Sequence, residues 1–163
     1  MVAAASFKGF GLNAVDAKNR LLIPVGFRDV LAARGNGRAV TVGPGHADRQ
    51  CLIAYDDAYE DELRTGFAAR HGASIGPDAY RERTFLFGST TTLTIDDAGR
   101  IVLPPGLKRP GGITGHVWFM GGADFFELWD PWTFMAQPDL VAGQRLQVEG
   151  ELEARGLPLE RPA

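Results

Sequence analysis

Cysteine is almost missing from this sequence: Cys51 is the single one in 163 residues. It has no internal disulfide partner, and its setting in CLIAY (51–55) reads as the inside of a strand. His46, His71 and His116 are scattered without ligand-spaced neighbours, so no structural zinc site is expected. No apolar run reaches the ~20 residues of a membrane-spanning helix. The opening MVAAASFKG has no basic run ahead of a long apolar stretch, so neither export nor insertion is expected, and a cytoplasmic chain is. The glycine-rich GPGHADRQ (43–50) is not a phosphate-loop pattern and precedes no helical one; it reads as a hairpin loop, and no cofactor is expected.

An overall positive excess is also lacking, since formal net charge is −3. Its distribution is uneven. Residues 1–40 carry a net +4, 41–80 a net −4, 81–110 a net +2, and 111–163 a net −5. The apolar fraction of 45% suits one core or two closely joined half-size units. Twenty-one glycines and ten prolines argue against a purely helical fold.

The two basic blocks hold two copies of one phrase. DAKNRLLIP runs from Asp16 to Pro24, and DDAGRIVLP from Asp96 to Pro104. At this offset of 80, Asn19 pairs with Gly99, Arg20 with Arg100, Gly26 with Gly106, and Arg28 with Lys108. A second match, CLIAYD (51–56) against FFELWD (125–130), follows in the same order at an offset of 74. Two ordered matches indicate a duplicated unit with loops of unequal length.

Each unit reads as strand, tight turn, strand, helix, hairpin and helix. Gly99 suits a turn that needs positive φ, and asparagine at position 19 is the side chain that tolerates it best. RLLI and RIVL look apolar enough to be buried on both faces. A short helix is expected over 25–35, with a weaker one after Pro104, and hairpins over 38–55 and 116–129. Both closing strands end in an aspartate that can cap the next helix, and over 56–72 Asp57 with Glu60 offers a capping box. Asp130 should cap the helix after the second hairpin, with Trp129 and Phe134 as a staple. A helix within 77–89 should place Tyr80, Thr84 and Phe87 on one side. The expected fold is mostly β with short helices (α+β). Its first repeat spans 5–72, its second 77–140, and a weakly helical, partly flexible tail spans 141–163.

With DAKNRLLIP, Phe27 and Arg28, RERTFLFGS, DDAGRIVLP, Lys108 and FFELWD in this order, the chain resembles the MraZ family of bacterial regulators. Members of that family have two halves related to the AbrB, or swapped-hairpin, type of DNA-binding unit. The resemblance implies tandem swapped-hairpin units in one pseudo-two-fold barrel. It implies a nucleoid-associated transcription factor, generally a repressor, on the promoter of the division and cell-wall gene cluster. It also implies a homo-oligomeric ring that presents arginine turns to short direct repeats in double-stranded DNA. The family's DNA-contacting arginine falls on Arg20, and the second-half position on Arg100. Asn19 stands where the family usually has glycine, and Lys108 where it usually has arginine, a change from planar fork to point charge.

Arginine supplies both phosphate-neutralising charge and a donor fork for guanine O6 and N7. Lys18 beside Arg20 is then a phosphate contact, and Arg28, Arg81 and Lys8 are candidates for the same surface. Asp16 and Asp96 are expected to be structural, either accepting backbone N–H bonds or holding the arginine four residues on. Two other readings stand beside this one. A ring-forming scaffold would use turns that read no DNA. An aspartic dyad of Asp16 and Asp96 would lack the small hydroxyl and glycine neighbours of aspartic proteases, so an enzyme is not expected. Phe125, Phe126, Trp129, Trp132 and Trp118 are assigned to core or subunit contact rather than to base stacking.

Overall fold

A computed structural model describes residues 5–163. Its first half contains β1 (Phe10–Ala14), β2 (Arg20–Leu22), α1 (Val25–Arg34), β3 (Ala39–Pro44), β4 (Leu52–Tyr55) and α2 (Asp57–His71). A connecting helix, α3 (Pro77–Arg83), runs into a π-helical turn at Thr84–Gly88. The second half repeats the order with β5 (Thr91–Thr94), β6 (Arg100–Val102), α4 (Pro105–Lys108), β7 (His116–Gly121), β8 (Phe126–Trp129) and α5 (Pro131–Met135). Helix α6 (Ala142–Ala154) follows. With α2 at 15 residues and α6 at 13, the fold is mixed α+β rather than mostly β.

The halves exchange strands. Each hairpin accepts the first strand of the opposite half: β1 lies antiparallel to β7 with Leu12 opposite Trp118, and β5 antiparallel to β3 with Leu93 opposite Val40. Pairing of β4 with β8 joins the hairpins, giving the sheet order β1-β7-β8-β4-β3-β5. Replacing every strand by its repeat counterpart yields the same order read from the other end. The remaining strands, β2 and β6, form a separate two-stranded ribbon with Leu21 opposite Ile101.

One apolar cluster fills the space between ribbon, sheet and α1. Leu21, Ile23, Ile101 and Leu103 are at most 2% exposed there, against Phe27, Leu31, Val42, Val117 and Phe126. Burial of each such side chain stabilises the fold by roughly 1.5–3 kcal/mol. The ribbon alternates cleanly, however: Leu22 is 40% exposed and Val102 55%. The expectation of burial on both faces fails because a two-stranded ribbon has only one neighbour layer to face.

Local signals place most of the helices. Glycines at 111 and 112 and Pro110 hold α4 to a single turn, while α1 runs to Gly35, whose φ of +138° closes it. The cap of α2 is Asp56, the aspartate ending the closing strand, which accepts from the Tyr59 N–H at 3.1 Å; the Asp57–Glu60 capping box is not used, Asp57 being already the first helical residue. Asp130 caps α5 as expected, accepting from the N–H groups of Trp132 and Thr133, and Trp129 stacks edge-on to Phe134 at 5.4 Å. Tyr80, assigned to the apolar side of α3, is 65% exposed; Ala79 and Leu86 are buried instead, the π-helical turn having rotated the face that meets Phe67. Beyond α6, which buries Val148 and Leu152, the chain folds back so that Arg161 bonds the Asp130 carboxylate and Trp132 donates to the Pro158 carbonyl.

Candidate functional site

The two repeated turns are built identically. In the first, the Asn19 N–H returns to the Asp16 carbonyl at 2.9 Å and Asn19 adopts φ +61°; in the second, the Gly99 N–H returns to the Asp96 carbonyl at 2.9 Å with φ +88°. The Asp16 carboxylate accepts from the N–H groups of Lys18 and Arg20, both at 2.9 Å, and from Arg20 Nε at 2.6 Å. Asp96 accepts in the same way from Ala98, Arg100 and Arg100 Nε, the last at 3.0 Å. The Arg20 N–H, joined by the Arg20 guanidinium, holds the Asp16 carboxyl below the usual carboxylate range, and Arg100 does the same for Asp96. Each aspartate therefore fills both of its expected roles, and each serves its own turn.

These bonds leave the ends of both arginines available. The aspartates engage Nε, and neither Nη1 nor Nη2 of Arg20 or Arg100 has a partner among the described residues. The two side chains are 36% and 37% exposed. In the ribbon Arg20 faces Val102 and Arg100 faces Leu22. Residues two apart on a strand share a face, so both arginines and both exposed apolar side chains emerge on one side. The arginines are diagonal neighbours, about 7–8 Å apart at the backbone. The halves are also tied crosswise: Ile23 N–H bonds the Gly99 carbonyl at 3.0 Å, and Leu103 N–H the Asn19 carbonyl at 2.9 Å.

Other cations divide by position. Lys18 is exposed on the first turn. Arg28 lies over the second turn, its Nε donating to the Ile23 carbonyl at 2.9 Å and its guanidinium covering Gly99. Lys8 and Arg81 belong to neither strand of the ribbon nor to its turns. Lys8 precedes β1 at the end farthest from Asp16, roughly 20 Å or more along an extended chain. Arg81 lies on α3, ahead of the start of β5, and its Nη2 is 3.8 Å from Asp78. Trp118, Phe126, Trp129 and Trp132 are buried and Phe125 half-buried, so they provide no exposed stacking surface.

Two features went unread in the sequence. Leu22 and Val102 belong to the exposed ribbon face, a position signalled only by strict alternation with the arginines. Lys108 reaches across the halves to Asn19, Nζ to Oδ1 at 2.9 Å, a contact between residues 89 apart. Among the described residues no group of three or more potential metal ligands occurs, and no helix is long and apolar enough to cross a membrane.

Comparison with known proteins gives a consistent likeness. Residues 86–142 match a family described as "MraZ protein, putative antitoxin-like". A protein of Burkholderia vietnamiensis named transcriptional regulator MraZ is 31% identical over 138 residues, covering 85% of this chain and 92% of that one. A protein of the same name from Saccharophagus degradans is 32% identical over 145 residues, 88% and 95% of the two chains.

Proposed function

Because the chain belongs to the MraZ family, which consists of transcriptional regulators and not enzymes, we propose that it binds double-stranded DNA in a sequence-specific manner through the β2–β6 ribbon. The observation that carries this reading is the placement of Arg20 and Arg100 on one exposed face with their Nη atoms unpartnered. A two-stranded ribbon fits the B-DNA major groove, which is about 12 Å wide, and a braced arginine is suited to guanine O6 and N7. The aspartate brace fixes the fork in advance, so less side-chain entropy is lost on contact. Arg20 is the stronger contact, because Lys18 accompanies it, whereas Ala98 replaces that lysine and Asp97 adds negative charge at the second turn. Lys18 and Arg28 serve as phosphate contacts; Lys8 and Arg81 lie outside this patch and reach DNA only if the duplex curves along the sheet.

In this reading the first repeat (5–72) and the second (77–140) act as one pseudo-two-fold barrel presenting a single recognition ribbon. One such patch on an acidic chain binds weakly, since non-specific affinities are roughly 10⁻⁴ to 10⁻⁶ M even for dedicated binders. A homo-oligomeric ring multiplies that affinity through effective concentration by ~10²-fold or more. Such a ring matches short direct repeats in the promoter of the division and cell-wall gene cluster, which the protein represses in the cytoplasm, associated with the nucleoid.

A mobility-shift titration against the gene's own upstream region tests the reading. Arg20→Ala should lose about 10- to 100-fold in specific affinity, the worth of one bidentate base contact, while its oligomer size is retained. Raised salt should weaken the remaining binding uniformly. Full affinity in Arg20→Ala would remove the ribbon as the DNA site and favour a scaffold whose turns read no DNA.

A further inference from the structure

The duplication contains its own control experiment. Positions 19 and 99 are equivalent, as are 28 and 108, and each turn is covered by the residue from the opposite half. At the second turn Arg28 lies so close over Gly99 that a Cβ there would be 2.6 Å from its Cζ, Nε and Nη1. At the first turn a Cβ is present, on Asn19, and the covering residue is the slimmer Lys108, bonded to the new carboxamide at 2.9 Å. The backbones agree: both turns close with the same 2.9 Å hydrogen bond at positive φ. The two side-chain differences are therefore one difference. A guanidinium plane needs glycine beneath it; asparagine needs a narrow partner that can donate to it.

This pairing has a chemical outcome. A lysine ammonium only donates, so the carboxamide atom it holds is the oxygen, and the NH₂ is left for another acceptor. Asn19 Nδ2 has no partner among the described residues, and Asn19 is the chain neighbour of Arg20. The ammonium thereby orients the carboxamide, holding its oxygen on Lys108 and leaving its NH₂ as the group free to donate. Guanine, thymine and adenine N7 offer acceptors in the major groove; cytosine offers only an N4–H₂ donor.

Resting on the reading of the ribbon as the DNA-contacting face, we propose that the Asn19–Lys108 pair is a specificity determinant: it gives the first turn an oriented donor, absent from the second, that disfavours cytosine beside the base read by Arg20. Lys108 acts through Asn19 and is the positioning residue; Asn19 touches the base.

Selection from duplexes with a randomised core, using the full-length native chain, Asn19→Gly/Lys108→Arg, Lys108→Met and Arg20→Ala, separates the possibilities. Anisotropy titrations then compare each selected duplex with its cytosine-substituted form. The native chain should discriminate against cytosine by about tenfold, the lower range of one base contact. Asn19→Gly/Lys108→Arg, which recreates the arrangement at Gly99 and suits the positive φ at position 19, should keep its melting temperature and the Arg20-dependent base but lose that discrimination. Lys108→Met frees the carboxamide to flip and present its oxygen, so cytosine should become accepted at the same position. Unchanged preference in both pair variants, with Arg20→Ala defective, would overturn the proposal and leave the ribbon reading standing. Uniform weakening on all duplexes would also overturn it, by assigning Asn19 to a phosphate. Selection of the native motif by Arg20→Ala would instead sink the ribbon reading itself.

Discussion

Placing a methyl group on Gly99 should unsettle the second turn in two separable ways. The φ of +88° is a left-handed conformation that costs a non-glycine residue roughly 1–2 kcal/mol. The Arg28 guanidinium, 2.6 Å from the position of the new Cβ, has to leave. Its half-buried hydrogen bond from Nε to the Ile23 carbonyl then goes as well, a further loss of about 1 kcal/mol. Gly99→Ala should thus be destabilised by about 2–3 kcal/mol, a fall in melting temperature of roughly 5–10 °C for a chain of this size. Differential scanning calorimetry at matched protein concentration measures it directly. Asn19→Gly at the equivalent position is the control and should shift by less than about 1 kcal/mol, because the half-buried hydrogen bond it loses is offset by relief of the positive φ. Gly99→Asn combined with Arg28→Lys, copying the first-turn pair, should recover part of the loss. Equal melting temperatures for Gly99→Ala and the native chain would refute the claim that cover and turn are matched.

Two further outcomes concern charge. Arg34 is 7% exposed and binds Asp56, itself 9% exposed, through Nε at 2.6 Å; Arg34→Met strands that carboxylate and should cost about 3–5 kcal/mol by chemical denaturation. Burial pushes the Asp56 carboxyl up, but the hydrogen bonds from Arg34 and the Tyr59 N–H together with the Arg34 charge outweigh it, and the net shift is downward. Its stabilisation is therefore complete above the ordinary carboxylate range near pH 4 and is lost as pH falls through the lowered value, a drop that unfolding midpoints in acid should trace in the native chain. On the surface, Arg49 hydrogen bonds hold the Asp139 carboxyl down at about 2. Arg49→Ala should raise it towards the ordinary carboxylate range, the remaining backbone hydrogen bond keeping it somewhat low, as read by carboxyl carbon NMR.

What could be read in advance was local. An aspartate four residues before an arginine, with glycine or asparagine between them, determines a turn through bonds that never leave five residues. The caps at Asp56 and Asp130, the aspartates that end the two closing strands, are similarly short-range, although Asp57 beside the first is a competent acceptor as well. Partner choice was less legible. Nothing in FGLNA specifies that it pairs with HVWFM in preference to the hairpin of its own half, since both offer the same alternation. Tyr80 was misassigned because a π-helical turn breaks the 3.6-residue period on which face assignments depend. The anchoring of Arg161 on Asp130 and the Lys108–Asn19 contact join residues far apart in sequence. For the latter pair, both members stood out as unusual, yet only the crossed chain path brings them together.

Exchange of strands between the halves has an evolutionary corollary. Two separate copies of such a half would be obliged to carry the same tip, and any change would appear twice. Joined in one polypeptide, each tip mutates alone: Lys18 against Ala98, Ala17 against Asp97, Asn19 against Gly99. The shared ribbon keeps the tips adjacent while they diverge, so the molecule is free to present two unlike tips from one pseudo-symmetric frame.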